Sequence, residues 1–302
     1  MSGGRLVIAP DVVHKMLDAQ FPEWAGLPLK RVGQEGWDNN TFRLGDDLKV
    51  RLPSDERYVP QVEKEFNWLP KLANQLPIMV PAPVALGRPS ADYPWPWSVY
   101  RWIDGEPASY SSIRDLNQFA RDVAAYLQAL WSADVTGAPL AGKHSFHRGG
   151  GLIIYDDETR FCLSGLTDEI DAAAALLIWE QALQSKWNQP ARWVHGDVSA
   201  GNLLVKNGAL CAAIDFGLCA VGDPACDLVI AWKFFSADDR EVFKTAIDLD
   251  QATWNRAMGW SLWKAARSLY YSKKANIPHQ QRAARTVIEA VFCDARHLGM
   301  LT

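Results

Sequence analysis

No apolar run in this 302-residue chain approaches the ~20 residues that a bilayer-spanning helix requires. No terminal stretch combines the charged, apolar and small-residue zones of a secretory leader. The five cysteines (162, 211, 219, 226 and 293) are odd in number and never form C-x-x-C. That spacing argues against a zinc site or a disulfide framework, and a reducing cytoplasm is the expected compartment. Positive charge is not in excess either: 31 Lys and Arg face 35 Asp and Glu, for a net charge of −4. A general nucleic-acid binder needs a basic surface to displace counterions, so neither nucleic acid nor membrane is an expected partner. Internal repeats and low-complexity tracts are absent as well. What the chain does have is 48% hydrophobic against 22% charged residues, enough core for one large domain or two lobes. Its fourteen tryptophans point to bulky core packing before they point to a flat aromatic ligand site.

Pro10-Asp11 opens a short amphipathic helix that stops at Phe21-Pro22. Short β-like segments follow, LKRVG, NTFRLG and DLKVRLP, the last two joined by a turn at 45–47. Helical periodicity returns in VPQVEKEFNWLPKLANQL, which Pro70 should kink or interrupt. After a proline-rich passage from Pro77 to Pro96, WSVYRWI reads as a buried strand. Beyond residue 112 the pattern is mostly helical (112–132, 167–187, 224–235, 250–272 and 279–297), with one β-rich block between. The expected architecture is α+β with two lobes. A strand-rich N-terminal lobe with one main helix spans 1–104 and includes a hinge at 98–104; a mostly helical C-terminal lobe spans 105–302.

The β-rich block, WVHGDVSAGNLLVKNGALCAAIDFG, concentrates the polar chemistry. Asn207-Gly208 between two apolar runs predicts a type I′ hairpin in which Lys206 faces Ala209, Val205 faces Leu210 and Asn202 faces Ala213. Asp215 then shares a sheet face with Ala213, and Asn202 becomes its diagonal neighbour at ~7–8 Å or less. An amide oxygen and a carboxylate at that spacing can ligate one hard cation such as Mg²⁺. Asp197, between Gly196 and Gly201, can face the same point.

The spacing H-G-D-x-x-x-x-N followed by I-D-F-G resembles the aminoglycoside phosphotransferase family, which has a protein-kinase-like fold and includes macrolide and metabolite kinases. The resemblance implies that Asp197 accepts the proton of the attacking hydroxyl and that Asn202 and Asp215 hold Mg²⁺ on the nucleotide phosphates. His195 would orient the loop, and Asp227 of GDPACDL would buttress it through backbone hydrogen bonds. In the N-terminal lobe, GQEGWDNNTFRL resembles the family's phosphate loop, with Gly33 and Gly36 where backbone can approach phosphates. Arg51 of VRLP would be the phosphate cation, with Lys49 as second candidate, and Glu65 its helix partner, ahead of Glu63. Tyr100 to Trp102 lie where the base of ATP or GTP would meet the hinge backbone.

Only seven residues separate Asp215 from Asp223, too few for a peptide-docking activation segment. Gly196 stands where protein kinases carry the arginine that pairs with an activation-loop phosphate. The implied acceptor is therefore a small-molecule hydroxyl, first an aminoglycoside-like antibiotic, which would make this a resistance enzyme. A macrolide or a metabolite is the alternative, and a catalytically silent nucleotide-binding module is the reading from another class. An aminoglycoside, being a polycation, would need convergent carboxylates. The candidates are Asp238, Asp239 and Glu241, then Asp248 and Asp250, and the acids at 156–158.

Overall fold

The computed structural model describes residues 5–33 and 36–301. Five antiparallel strands form the first sheet: β1 (Leu29–Arg31), β2 (Asn39–Leu44), β3 (Leu48–Pro53), β4 (Pro83–Gly87) and β5 (Trp97–Arg101), in spatial order β1-β2-β3-β5-β4. Helix α1 (Pro10–Gln20) covers this sheet with Val13, Met16 and Leu17, one stripe of an amphipathic helix with Pro10 in its first turn. Helix α2 (Val59–Ala73) continues past Pro70, so the proline does not interrupt it. Pro70 is exposed and only three residues from the helix end, so its missing N–H disturbs only the last turn. The inner face of α2 is unusually polar, burying Gln61, Lys64 and Glu65.

β5 ends at Arg101, and the chain passes through Trp102–Gly105 to β6 (Glu106–Pro107). β6 pairs with β8 (Leu203–Lys206), which pairs in turn with β9 (Ala209–Ala213). A further two-stranded ladder joins β7 (Arg192–Val194) to β10 (Ala220–Gly222). Helices α3 (Leu116–Ser132), α4 (Asp156–Ser164), α5 (Ala172–Gln184), α6 (Ile230–Lys233), α7 (Ala237–Ile247), α8 (Gln251–Lys274) and α9 (Pro278–His297) surround these ladders. Two apolar cores result. One lies between α1 and the first sheet; the other gathers α3, α5, α8 and α9 around Trp179, Trp193 and Trp260. Leu69, Leu72 and Tyr100 belong to the second core, so α2 and the end of β5 pack onto the helical part of the chain.

Several boundaries differ from those the periodicity predicts. The helix expected from 112 begins at Leu116, where the Asp115 carboxylate caps the Gln118 N–H at 3.0 Å. The helix expected from 167 begins after Asp171, which caps Ala174 at 2.9 Å. The stretch 224–235 is not one helix: tight turns occupy Pro224–Val229, and only Ile230–Lys233 is α-helical. β4 lies inside the proline-rich passage, and α4 and α7 lie in segments not assigned to helices from periodicity.

The hairpin turn is as expected, with positive φ at Asn207 (55°) and Gly208 (82°). Val205 pairs with Leu210 and Lys206 with Ala209. Below them a β-bulge at Cys211 shifts the register, so that Leu203, not Asn202, opposes Ala213. Asn202 instead lies across from Ile214, whose N–H donates to the Asn202 carbonyl at 2.8 Å.

Candidate active site

The loop after β7 is built around a buried histidine and a buried carboxylate. His195 Nδ1 accepts from the Asp197 N–H at 3.2 Å, which leaves the proton on Nε2 to donate to the Ile214 carbonyl at 3.0 Å. This ring therefore ties the Asp197 loop to the strand end that carries Asp215. Asp227 sits beneath, accepting from the His195 N–H (3.0 Å) and the Gly196 N–H (2.7 Å) with separate oxygens. Burial is the largest influence on Asp227 and raises its pKa, while the two N–H groups and the Trp131 indole pull it down. Gly196 has φ of +84°, and a Cβ there would stand 2.6 Å from the Leu218 carbonyl oxygen. The loop can take this path only with glycine at 196.

Asn202 donates from Nδ2 to the Asp197 carbonyl (3.0 Å) and towards Asp197 Oδ2 (3.4 Å). Its amide is thus oriented with Oδ1 as the uncommitted atom. Asp215 follows β9 in the left-handed region (φ 66°, ψ 62°), a strained placement for a residue with a side chain. Among the described residues no group of three or more His, Cys, Asp or Glu could hold a metal. Asn202 Oδ1 and Asp215 nevertheless fit Mg²⁺, which is usually held by one or two protein oxygens while phosphates and water supply the rest.

Across the opening, Arg51 on β3 reaches both lobes. Its Nη1 lies 3.0 and 2.8 Å from the Glu65 oxygens, and its Nη2 lies 2.7 Å from Asp215 Oδ1. Burial alone would lower the Arg51 pKa; the Glu65 and Asp215 carboxylates outweigh it, and the net shift is upward. The Tyr100 hydroxyl also donates to Glu65, and this fully buried side chain turns away from the cavity. Glu63 is exposed on the other side of α2. Lys49 lines the cavity beside Arg51, and its side chain makes no hydrogen bond among the described residues. Burial first, and then the Arg51 charge, lower its pKa from 10.5 to about 8.

Two cavities meet at Asp38. The first, about 490 Å³, is walled by Lys49, Arg51, Trp102, Ile103, Asn202 and Asp215. Gly36 belongs to its wall, while Gly33 does not; Gln34 and Glu35 of that loop lie outside the described residues. Of the hinge amides, Arg101 N–H donates to Ala82 and Trp102 N–H to Asp47, at 2.9 and 2.7 Å. The second cavity, about 910 Å³, holds Asp197, Lys233, Trp263 and Lys264. Asp38, shared by both, has its pKa raised by burial and then by Asp215.

Two lysines near Asp197 escape sequence reasoning. Lys264 Nζ on α8 lies 2.8 Å from Asp197 Oδ1. Lys233, at the end of α6, is close enough to act on the same carboxylate. Burial is the largest influence on Asp197 and works upward, but Lys264, Lys233 and His195 overcome it and hold the pKa below the ordinary 3.8. α2 is also fixed to the other lobe: Lys64 Nζ bonds His144 Nδ1 (3.0 Å), His144 O (3.2 Å) and Gly217 O (2.8 Å).

The family model described as "Phosphotransferase enzyme family" matches residues 30–260. No curated protein matches the chain. Among solved structures, the GDP complex of wild-type aminoglycoside 2'-phosphotransferase-IIIa has a TM-score of 0.68 at 17% identity, covering 95% of this chain and 99% of that one. The gentamicin complex of APH(2")-IIa has a TM-score of 0.63 at 20% identity, covering 95% and 99%. Macrolide 2'-phosphotransferase type I has a TM-score of 0.61 at 19% identity, covering 93% and 97%. At such identities the likeness establishes a kinase-like fold. With the family match over most of its length, the chain belongs to the phosphotransferase enzyme family.

Proposed function

We propose that the protein is a Mg²⁺-dependent O-phosphotransferase that moves the γ-phosphoryl group of ATP or GTP to a hydroxyl of a small molecule. The observation that carries this reading is the placement of Asn202. Its amide nitrogen holds Asp197 in the larger cavity, while the residue itself lines the smaller one with Asp215. Donor and acceptor chambers therefore share one wall.

In this reading the smaller cavity takes the nucleotide. Trp102, Ile103, Leu204 and Ile214 flank the base, and Arg51 with Lys49 meets the phosphates. Mg²⁺ held by Asn202 Oδ1 and Asp215 would neutralise charge on the phosphate oxygens. Asp197 accepts a hydrogen bond from the acceptor hydroxyl and points its oxygen at phosphorus. The new oxygen–phosphorus bond forms as the bridging bond to the β-phosphate breaks. The hydroxyl proton leaves through Asp197 to solvent, and the products are a phosphate ester and the nucleoside diphosphate. A low Asp197 pKa suits a group that orients and receives a proton late, as a loose transition state requires. His195 acts through the loop and touches neither substrate.

The likeness to aminoglycoside enzymes does not choose the acceptor. Of the acids that a polycationic antibiotic would need, only Glu158 lines the Asp197 cavity. Asp238 and Glu241 border a separate cavity by α7, Asp239 is buried, and Asp250 caps α8. The test is phosphoryl transfer from MgATP and MgGTP to a panel of alcohols, with Asp197→Asn as control. The substitution should lower kcat by about 10²–10⁴ while nucleotide binding persists. Nucleotide binding without transfer to any alcohol would leave a silent binding module in place of an enzyme.

A further inference from the structure

The cavity around Asp197 has a charge balance of its own. Among the described residues six cations (Arg5, Arg57, Arg148, Lys233, Lys264 and Arg267) line it, against four carboxylates. Every one of the four already has a partner. Asp55 pairs with Arg57 at 2.7 Å, and Asp197 pairs with Lys264 at 2.8 Å. Glu158 accepts from Arg267 (3.0 Å) and from the Trp263 indole (2.8 Å), and Asp38 accepts from Gln61 (3.2 Å). At three of these acids, Asp55, Asp197 and Glu158, an amine-rich acceptor would have to displace a cation, and Asp38 alone has a neutral partner.

Two of the cations, Lys233 and Arg148, make no ion pair among the described residues, although Lys233 is near enough to Asp197 to act on it. Lys233 makes no hydrogen bond or ion pair among the described residues. Burial and then the neighbouring Lys264 disfavour its charge, and Asp197 offsets them only in part. Arg148 donates to the Tyr155 hydroxyl (2.6 Å) and lies over the Trp263 ring, 4.5 Å from its centroid, with Tyr155 and Trp260 also beside it. Its Nε is buried without a partner. A guanidinium flanked by aromatic rings, with no carboxylate to satisfy it, suits a planar or tetrahedral anion.

We infer that the acceptor of this cavity carries an anionic group of its own, a carboxylate, phosphate or sulfate, which Lys233 and Arg148 bind while Asp197 takes the hydroxyl. This rests on the phosphotransferase reading and adds the charge class of its substrate. The same cations offset the repulsion between an anionic acceptor and the incoming phosphoryl group, a repulsion that a neutral alcohol would not create.

A matched set of polyols tests it with the intact protein: D-gluconate, D-sorbitol and D-glucamine, which differ at one terminal group, with glucose 6-phosphate against glucose and kanamycin A as the polycation. Transfer from MgATP and MgGTP is followed by ³¹P NMR. The anionic member of each set should have kcat/KM at least about tenfold above its neutral partner, and Lys233→Glu should remove that preference mainly through KM. In parallel, calorimetry on protein saturated with MgADP should show the anionic member binding more tightly than kanamycin A. Equal rates across charge, preference for the amines, or tighter binding of kanamycin A would each overturn the inference, as would failure of both anions to bind. Loss of nucleotide binding or of all transfer, with anion binding intact, would instead strike the phosphotransferase reading alone.

Discussion

Lys264 Nζ lies 2.8 Å from Asp197 Oδ1, so a cation from the longest helix holds the carboxylate proposed to take the acceptor hydroxyl. Burial pushes the Asp197 pKa up and Lys264 is the first of the groups that pull it down. With Lys264→Met, burial is opposed only by Lys233 and His195, and the pKa rises. The acid limb of the kcat/KM profile should then move to higher pH by about one unit or more, the equivalent of ~1.4 kcal/mol. An acid limb that stays where it is in the variant would show that the pair does not set the ionisation of Asp197.

Arg51 bridges Glu65 and Asp215 at once, which no lysine ammonium can do with the same geometry. Arg51→Lys should raise the nucleotide KM about tenfold while the fold persists. Arg51→Met leaves Glu65 buried with only the Tyr100 hydroxyl beside it, and should cost about 3–5 kcal/mol in urea unfolding. A loss below one kcal/mol would mean that water reaches Glu65.

Lys49 gives a pH dependence of the opposite kind. Its pKa is lowered from 10.5 to about 8 in the folded chain, by burial first and then by Arg51. Between those values the unfolded chain binds the extra proton, so this group makes the protein more stable as pH rises through the window. Phosphates arriving beside Lys49 pull its pKa back up. Nucleotide binding near pH 8 should therefore take up protons, seen by calorimetry in two buffers of different ionisation enthalpy. Lys49→Met should abolish the uptake; undiminished uptake in that variant would assign it to another group.

Asp227 satisfies two loop N–H groups with two oxygens, and Asn can satisfy only one. Asp227→Asn should cost roughly 1–3 kcal/mol of stability and lower kcat, with the nucleotide dissociation constant preserved. If nucleotide affinity fell in step with kcat, the loop would be supporting the donor cavity as well.

The parts of the site that lie close together in the chain were legible in the sequence. Asn207-Gly208 specifies the turn, and the H-G-D-x-x-x-x-N and I-D-F-G spacings specify the order of Asp197, Asn202 and Asp215. The bulge at Cys211 was not legible, because it depends on packing across the sheet: the Cys211 thiol lies 3.3 Å from the Leu204 carbonyl and reaches towards Asp104. Lys264 and Lys233 were hidden for a different reason. Periodicity records a lysine on α8 as a polar position, and only the packing of α8 against the loop turns that position into a neighbour of Asp197. β4 was obscured by the prolines on either side of it, since proline removes the donor by which a strand is recognised.

Gly196 has a consequence for descent as well as for folding. Its backbone conformation and the Leu218 carbonyl 2.6 Å from any added Cβ close this position to every other residue unless the neighbouring turn moves first. A lineage carrying this loop cannot acquire an arginine-based phospho-switch there by a single codon change. Lys233, Lys264, Arg267 and Arg148 sit on α6, α8 and the segment before α4, where each can be exchanged one at a time. Divergence among its descendants should therefore accumulate in what they phosphorylate, and the machinery of transfer should stay as it is.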